Sequence, residues 1–480
     1  MKTTSSFNKC RKSFLAPLLI ALVPCSVSCQ GTALDKKEGK TSHEFTILAY
    51  NVQNLFDLDG ISKYNDFKPE HYGTSQLKRK LKSITDTLSK IGDGTGPEIV
   101  LLQEIELDRS PKEHLSATEL LKKALGEKGL GPYNLAKGRI ESISLNQSPA
   151  IVCVTLSKFP IKETRNHWTE RARPILETHL DIEGQTLVVF NNHWKSGASS
   201  ADTEPIRIQN ASVLRKRIDE LLKANPATDI VVGGDLNSHY NQKQVFKGIM
   251  PKTAVNDVLK SQGNEPLLQS PTQKLYNLWH ELPPADRGSE VWKGEWGTLM
   301  HLVLSHGLYD DHGIQYRTDS FRVAILDDFN VLTGSGIPNR WYNDFGGIGI
   351  SDHLPVLATF ATARKGKRVE VGANHAESPA VLPNVDYTKV IDQAKPFDAN
   401  ANASKNFRKI FSFEGQVFLN KPLTLKTKGT QIRLWSFDPK AQAILLAAQP
   451  GDSLNGYGYL SRYKGEWQLV VEKRDWLGKR

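Results

Sequence analysis

The chain is predicted to be α/β, with a small all-β domain at its C-terminal end. Three observations predict this. First, five apolar runs of β-strand type each end in acid, amide or imidazole: Phe45-Thr-Ile-Leu-Ala-Tyr-Asn51, Ile99-Val-Leu-Leu-Gln-Glu104, Leu187-Val-Val-Phe-Asn-Asn-His193, Ile230-Val-Val-Gly-Gly-Asp-Leu-Asn237 and Gly349-Ile-Ser-Asp-His353. Second, helical patterns precede two of these runs, the arrangement of a mixed α/β body. Third, residues 405–480 carry short alternating strands spaced as in a small barrel.

In order along the chain, Lys2, Lys9, Arg11 and Lys12 precede an apolar stretch from Phe14 to Pro24 that is too short to span a bilayer. Ser26-Val27-Ser28 then supplies small residues for a cut before Cys29, so residues 1–28 read as an export signal. Two readings follow: a simple secretory peptide, or a bacterial lipoprotein acylated at Cys29. Ser26 stands where leucine is usual for the second. The mature chain is expected outside the cytoplasm, as a membrane-anchored lipoprotein or as a periplasmic or secreted protein. Cys10 and Cys25 leave with the signal. Cys29 and Cys153 remain and make no disulfide framework. Cys153, inside Ala150-Ile-Val-Cys-Val-Thr-Leu156, reads as a buried, inert strand residue.

Residues 29–43 are polar and read as a tether. Leu77, Leu81, Ile84, Leu88 and Ile91 recur at three- and four-residue steps, an amphipathic helix. Leu214, Ile218 and Leu221 repeat the pattern within Val213 to Leu222. Residues 262–298 are rich in Pro and Trp and break the regularity, as does the Gly-rich stretch 333–349. The second stretch precedes Ser351-Asp-His353 and reads as a loop at the mouth of a site. Its Trp341 and Tyr342 either stack on a base or sugar, or pin the loop to the body. Residues 363–404, with Arg364-Lys-Gly-Lys-Arg and a Pro-, Ala- and Asn-rich tract, read as an interdomain linker.

Expected strands in the last block are Ile410–Phe418, Thr430–Trp435, Ala443–Ala447, Gly456–Ser461 and Trp467–Glu472. The stretch from Gly451 to Val471 resembles the later strands of an OB-fold, which implies an OB-like barrel over 405–480. Tyr457, Tyr459, Arg462 and Tyr463 offer the aromatic-plus-basic mixture that single-stranded nucleic acid prefers. Charge points the same way. The chain carries +10 overall, but residues 405–480 hold fourteen Lys and Arg against six Asp and Glu, and the long middle is at −2. A polyanion-binding module fits this distribution, as does an ordinary solvated face.

The strand-end residues offer a specific chemistry. Glu104 and Asp352 are hard oxygen ligands suited to Mg²⁺, Mn²⁺ or Ca²⁺, and Asn51 adds a neutral oxygen. No Cys/His cluster has zinc spacing. Asp235 and Asn237, two apart on a strand end, point the same way and hold an attacking water between them. His193 and His353 share acid, base and phosphate-clamping work.

Tyr50-Asn51-Val, Leu102-Gln-Glu104, Asn192-His193-Trp, Gly234-Asp-Leu-Asn237 and Ser351-Asp-His353 together resemble the endonuclease/exonuclease/phosphatase superfamily over about residues 44–362. The resemblance implies a four-layer α/β sandwich, two mixed β-sheets packed face to face with helices outside. It implies metal at Asn51, Glu104 and Asp352, a nucleophilic water held by Asp235 and Asn237, and His193 and His353 acting on the scissile phosphate. One position departs from the family pattern. The aspartate that in relatives orients the Ser-Asp-His histidine falls on Met300, and a thioether cannot do that work. Either a substitute carboxylate reaches in, or the enzyme is slow, or the domain only binds. His301, next to it, is expected to face the other way. The leading expectation is an exported, metal-dependent nuclease cleaving DNA or RNA. The alternatives are a phosphomonoesterase, a sphingomyelinase-like phosphodiesterase and a weakened surface-binding protein.

Overall fold

The strands fall where the apolar runs lie. In the computed structural model, which describes residues 42–478 except Asp93, 110–112, 140–146, 373–374, 376 and 403, they begin with β1 (Glu44–Leu55), β2 (Ile99–Glu106), β3 (Asn134–Lys137) and β4 (Ile151–Ser157). Next come β5 (Ile161–His167), β6 (Ile175–Ile182), β7 (Gln185–His193), β8 (Ile230–Asp235), β9 (Ser261–Gln262) and β10 (Leu275–Asn277). A hairpin, β11 (Glu290–Trp292) and β12 (Glu295–Gly297), precedes β13 (Met300–Leu304), β14 (Ile314–Tyr316), β15 (Arg322–Val323) and β16 (Val356–Thr362). The last strands are β17 (Lys395–Pro396), β18 (Ile410–Asn420), β19 (Leu423–Thr427), β20 (Thr430–Ser436), β21 (Ser453–Tyr463) and β22 (Glu466–Val471). The helices are α1 (Thr74–Ser89), α2 (Ala117–Glu127), α3 (Glu204–Ala224), the short α4 (Gln242–Val245) and α5 (Thr388–Asp392), and α6 (Pro439–Ala447). The segment read as an export signal, Cys29 and most of the segment read as a tether lie outside the described residues. Among the described residues no helix is long and apolar enough to cross a membrane.

Two seven-stranded mixed sheets form the body. One runs β14-β16-β1-β2-β4-β3 with β15 beside β16, and the other runs β5-β6-β7-β8-β13-β10-β9. Alternation along each strand builds the layers. Ile47, Leu101, Val189, Leu302 and Phe360 meet between the sheets. Their neighbours Leu48, Leu102 and Val154 point outward onto Ile84 of α1 and Leu121 of α2. On the far side, Val188, Phe190 and Val232 meet Leu214 and Ile218 of α3. This is a four-layer sandwich. Each fully buried Leu or Ile removes enough apolar surface to contribute roughly 1.5–3 kcal/mol. Cys153, in β4, is free and fully buried, and burial raises its pKa.

The C-terminal strands close on themselves in the order β18-β19-β20-β22-β21, with β21 pairing back to β18. They form a five-stranded barrel. One expectation needs correction here. Ala443–Ala447 is not a strand but the end of α6, which Asp438 caps by accepting from the Ala441 amide at 2.7 Å and Pro439 opens at its first position. The missing strand is β19, a five-residue run with Lys426 inside it. Within the segment read as a linker, Trp296 N donates to Pro383 O and Val385 N to Gly294 O, which lays residues 383–385 along the β11–β12 hairpin.

Candidate active site

The site lies where β1, β2, β7 and β8 end, beside the loop that enters β16. Pairing sets the first contacts: His193 stands level with Asp235 across the parallel β7–β8 pair, and Asp235 level with Met300 across β8–β13. Glu104 reaches the site through an irregularity. Strict alternation would send Gln103 between the sheets and Glu104 outward. Gln103 does turn inward, donating to Asn191 Oδ1 at 2.7 Å. At Glu104 the pairing of β2 shifts register on both sides and φ is +67°, so its carboxylate turns into the site instead. Asn237 also has a left-handed backbone, φ +47°. Unusual backbone at two such positions is where functional sites store strain.

All seven expected residues converge. Asn51 Nδ2 donates to Glu104 Oε1 at 3.1 Å and to Asp235 Oδ2 at 3.0 Å. His193 Nε2 lies 3.6 Å from Asp235 Oδ2 and 3.8 Å from Glu104 Oε1. His353 Nε2 lies 3.9 Å from both Asp235 Oδ2 and Asp352 Oδ1. Asp235 Oδ1 accepts from Asn237 N at 2.9 Å, and Asn237 Nδ2 donates to Trp194 O. Ser351 Oγ donates to Asn51 O at 2.7 Å, tying the Ser-Asp-His loop to β1.

Burial and charge set the protonation states. Burial holds His193 well below the ordinary imidazole range, and Arg173 and His353 add to it. The Asp235 and Glu104 carboxyl groups face its Nε2. Burial also pulls on His353, but Asp352, Asp235, Glu290 and Glu104 outweigh it, so its pKa rises. Burial raises Glu104, with Asp352 adding repulsion and the Asn51 amide opposing. Two mutually repelling carboxylates, Glu104 and Asp352, are hard-oxygen donors of the kind that suit a divalent cation, while the Asn51 amide turns Nδ2 toward Glu104 and Asp235. Asn51 Oδ1 already accepts from Gln53 N at 2.9 Å and keeps one lone pair.

Met300 carries no carboxylate, but one arrives from elsewhere. Glu290, at the base of the hairpin, puts Oε2 3.8 Å from His353 Nδ1, and the two residues form a β-bridge. Ser289 Oγ donates to the same carboxylate, and Leu299 N donates to it at 3.1 Å, so it sits over the start of β13 beside Met300. Gly297 makes the room: any Cβ there would overlap Glu290 Oε1. Burial lifts Glu290 to about 7, with His353 pulling it back. The hairpin follows from its turn, since Lys293 (φ +51°) and Gly294 (φ +78°) give the paired left-handed residues of a two-residue hairpin. His301 faces away as expected, donating from Nε2 to Ser238 O and accepting at Nδ1 from Asn277.

Sequence reasoning missed Glu290, and also Lys80. Buried on α1, Lys80 donates to Ile350 O at 2.9 Å and lies 4.8 Å from the Trp341 ring. Burial lowers its pKa to about 7, against the charges of Asp352 and Glu104. Trp341 and Tyr342 pin the loop. Trp341 is buried and its backbone N–H donates to Gln53 Oε1, while Tyr342 Oη accepts from Arg408 at 2.7 Å. Tyr459 packs under the Arg408 guanidinium, and Arg462 covers the Phe345 and Trp467 rings.

The family model described as "Endonuclease/Exonuclease/phosphatase family" matches residues 46–362. Comparison with curated proteins finds no match. Among solved structures, truncated Caenorhabditis elegans TDP2 is 15% identical, over 67% of this chain and 98% of that one, with a TM-score of 0.39. An endonuclease/exonuclease/phosphatase family protein from Bacteroides thetaiotaomicron is 13% identical over 67% and 99%, TM-score 0.39. The human Nocturnin catalytic domain with bound sulfate anion is 16% identical over 67% and 94%, TM-score 0.38.

Proposed function

The chain belongs to the endonuclease/exonuclease/phosphatase family, whose reaction is phosphoester hydrolysis, and from that premise we propose that it is an exported, divalent-metal-dependent phosphodiesterase acting on nucleic acid. The observation that carries this reading is the convergence of Asn51, Glu104, His193, Asp235, Asn237, Asp352 and His353 on one strand-end cluster. Glu104 and Asp352 would hold the ion, with the Asn51 amide bracing Glu104 and Asp235. Mg²⁺, Mn²⁺ and Ca²⁺ all suit these donors. When bound, such an ion polarises a phosphoryl oxygen as a Lewis acid.

The chain's own groups do the rest. Asp235, fixed by Asn51 and by the Asn237 amide, keeps lone pairs for the proton of an attacking water, and Asn237 orients that water. His353, its pKa raised, holds a proton at Nε2 for a phosphoryl oxygen. Neutral His193 donates from Nε2 without adding charge. Glu290, with Oε2 3.8 Å from His353 Nδ1, is the carboxylate placed to orient that ring where Met300 cannot.

The purified mature chain should hydrolyse bis-(p-nitrophenyl) phosphate in Mg²⁺ or Mn²⁺, stop in EDTA, and resume on metal addition. A chain that cleaves neither this diester nor DNA nor RNA in any of these metals would end the reading. Preference for p-nitrophenyl phosphate or for sphingomyelin vesicles would replace the nuclease by a monoesterase or a lipid diesterase. Acylation at Cys29 would appear as added mass on the mature protein.

A further inference from the structure

A cleft of about 760 Å³ runs between the β11–β12 hairpin, the 333–349 loop and the barrel, and Asp352 of the catalytic cluster lines it. The volume lies within the roughly 300–1,000 Å³ typical of ligand clefts. We infer that this cleft binds single-stranded nucleic acid and leads it to the catalytic cluster. The inference rests on the phosphodiesterase reading above and adds the form of the substrate.

Three large rings from three separate elements line the cleft yet stay uncovered: Trp292 at the hairpin tip (65% exposed), Phe437 after β20 (64%) and Tyr463 at the end of β21 (58%). Isolated exposed aromatics are ordinary, but three around one cleft form a stacking surface. Cations stand among them. Lys293 lies 6.0 Å over the Trp292 ring, Lys409 reaches only Asn406 Oδ1 at 3.4 Å, and Arg340 is 4.0 Å from Asp352. Among the described residues neither lysine forms an ion pair, so both remain available to phosphates. The opposing charges in the lining are Asp352 and Glu472. Arg408 is not a ligand candidate: half-buried, it is engaged by Tyr342 and Tyr459 and forms the cleft wall.

Rings and cations alternating along a groove fit a strand whose bases are free to stack and whose phosphates run alongside. A duplex turns its base faces inward and leaves nothing for Trp292, Phe437 or Tyr463 to cover. A membrane surface would use the same residue types, and the test must separate the two.

The experiment is fluorescence anisotropy of the full mature chain with a labelled oligothymidylate of about 12 nucleotides, inside the roughly 4–16 that one such barrel occupies. EDTA is present so that no turnover intervenes. Trp292→Ala should weaken binding at least about fivefold, the low end for one lost base–ring stack. Lys409→Ala should flatten the slope of log K against log salt by about 0.7. Both side chains are exposed, so neither variant threatens the fold. Parent-like binding by both variants, or no binding by the parent, overturns the inference. Loss of binding to phosphatidylserine vesicles, with oligonucleotide binding intact, overturns it in favour of a membrane. Diester hydrolysis by the parent is measured in parallel. Hydrolysis together with unaffected variants ends the cleft inference alone. Variant-sensitive binding without hydrolysis supports the cleft and ends the enzyme reading.

Discussion

Glu290→Ala should lower kcat on a diester by two to four orders of magnitude and leave KM nearly unchanged. The upper figure is the roughly ten-thousandfold loss seen when a histidine loses its orienting carboxylate. The split between kcat and KM follows from where Glu290 sits. It faces Nδ1 of His353 at 3.8 Å, on the far side of the ring from Asp235 and the reacting phosphate. It therefore acts on the orientation and charge of the ring rather than on ground-state binding. Glu290→Gln tests charge separately from shape. The decisive variant is the double change Glu290→Ala with Met300→Asp, which returns a carboxylate to the strand position where the family has one. It should recover at least about tenfold of the lost kcat, the size of one modest interaction. Met300→Asp alone should gain nothing, because His353 already has a partner and a second buried carboxylate beside Glu290 is costly. Full activity in Glu290→Ala, or a large gain from Met300→Asp alone, would show that Glu290 does not support His353.

The second large effect is at Glu104. Glu104→Gln should reduce metal-dependent kcat by about two to four orders of magnitude, the rate equivalent of several kcal/mol of lost charge stabilisation. Calorimetry should show the metal affinity falling with it. Stability should move the other way. Burial and Asp352 both raise Glu104, so the carboxylate is held where its charge is unwelcome, on a left-handed backbone. Removing that charge should leave the metal-free melting temperature equal or higher, as strained functional groups generally do. A variant that loses activity by unfolding would contradict this account, and so would one that keeps its metal.

Much of the site was legible because each contributing strand announces itself. An apolar run that ends in Asn51, His193 or Asp235 delivers its polar residue at the sheet's end whatever the connecting loops do, whereas Glu104 also needs the register shift in β2. Glu290 was not legible because its partner lies across the chain and its strand is three residues long. Two signs were present: the gap at Met300, and a Lys-Gly turn between β-type residues. Lys80 was hidden because a lysine between apolar helix positions ordinarily marks a solvated edge. Trp341 and Tyr342 carried two readings in sequence, and only packing against Lys80, Gln53 and Arg408 separates them. In the barrel, the apolar run at Ala443–Ala447 has no period of its own. Asp438-Pro439 just before it is the helix signal that outweighs it.

The hairpin that carries Glu290 is only two strands wide, and its outer edge is completed by residues 383–385. Both seven-stranded sheets end by Thr362, so a chain cut there keeps its sandwich and all seven motif residues. It loses the segment that steadies the support for His353. The limits of the fold and the limits of the enzyme therefore do not coincide. A shortened chain of that kind should melt as one body and still work poorly, and a comparison of its melting curve with its turnover would measure how far catalysis here depends on sequence beyond the ancestral domain.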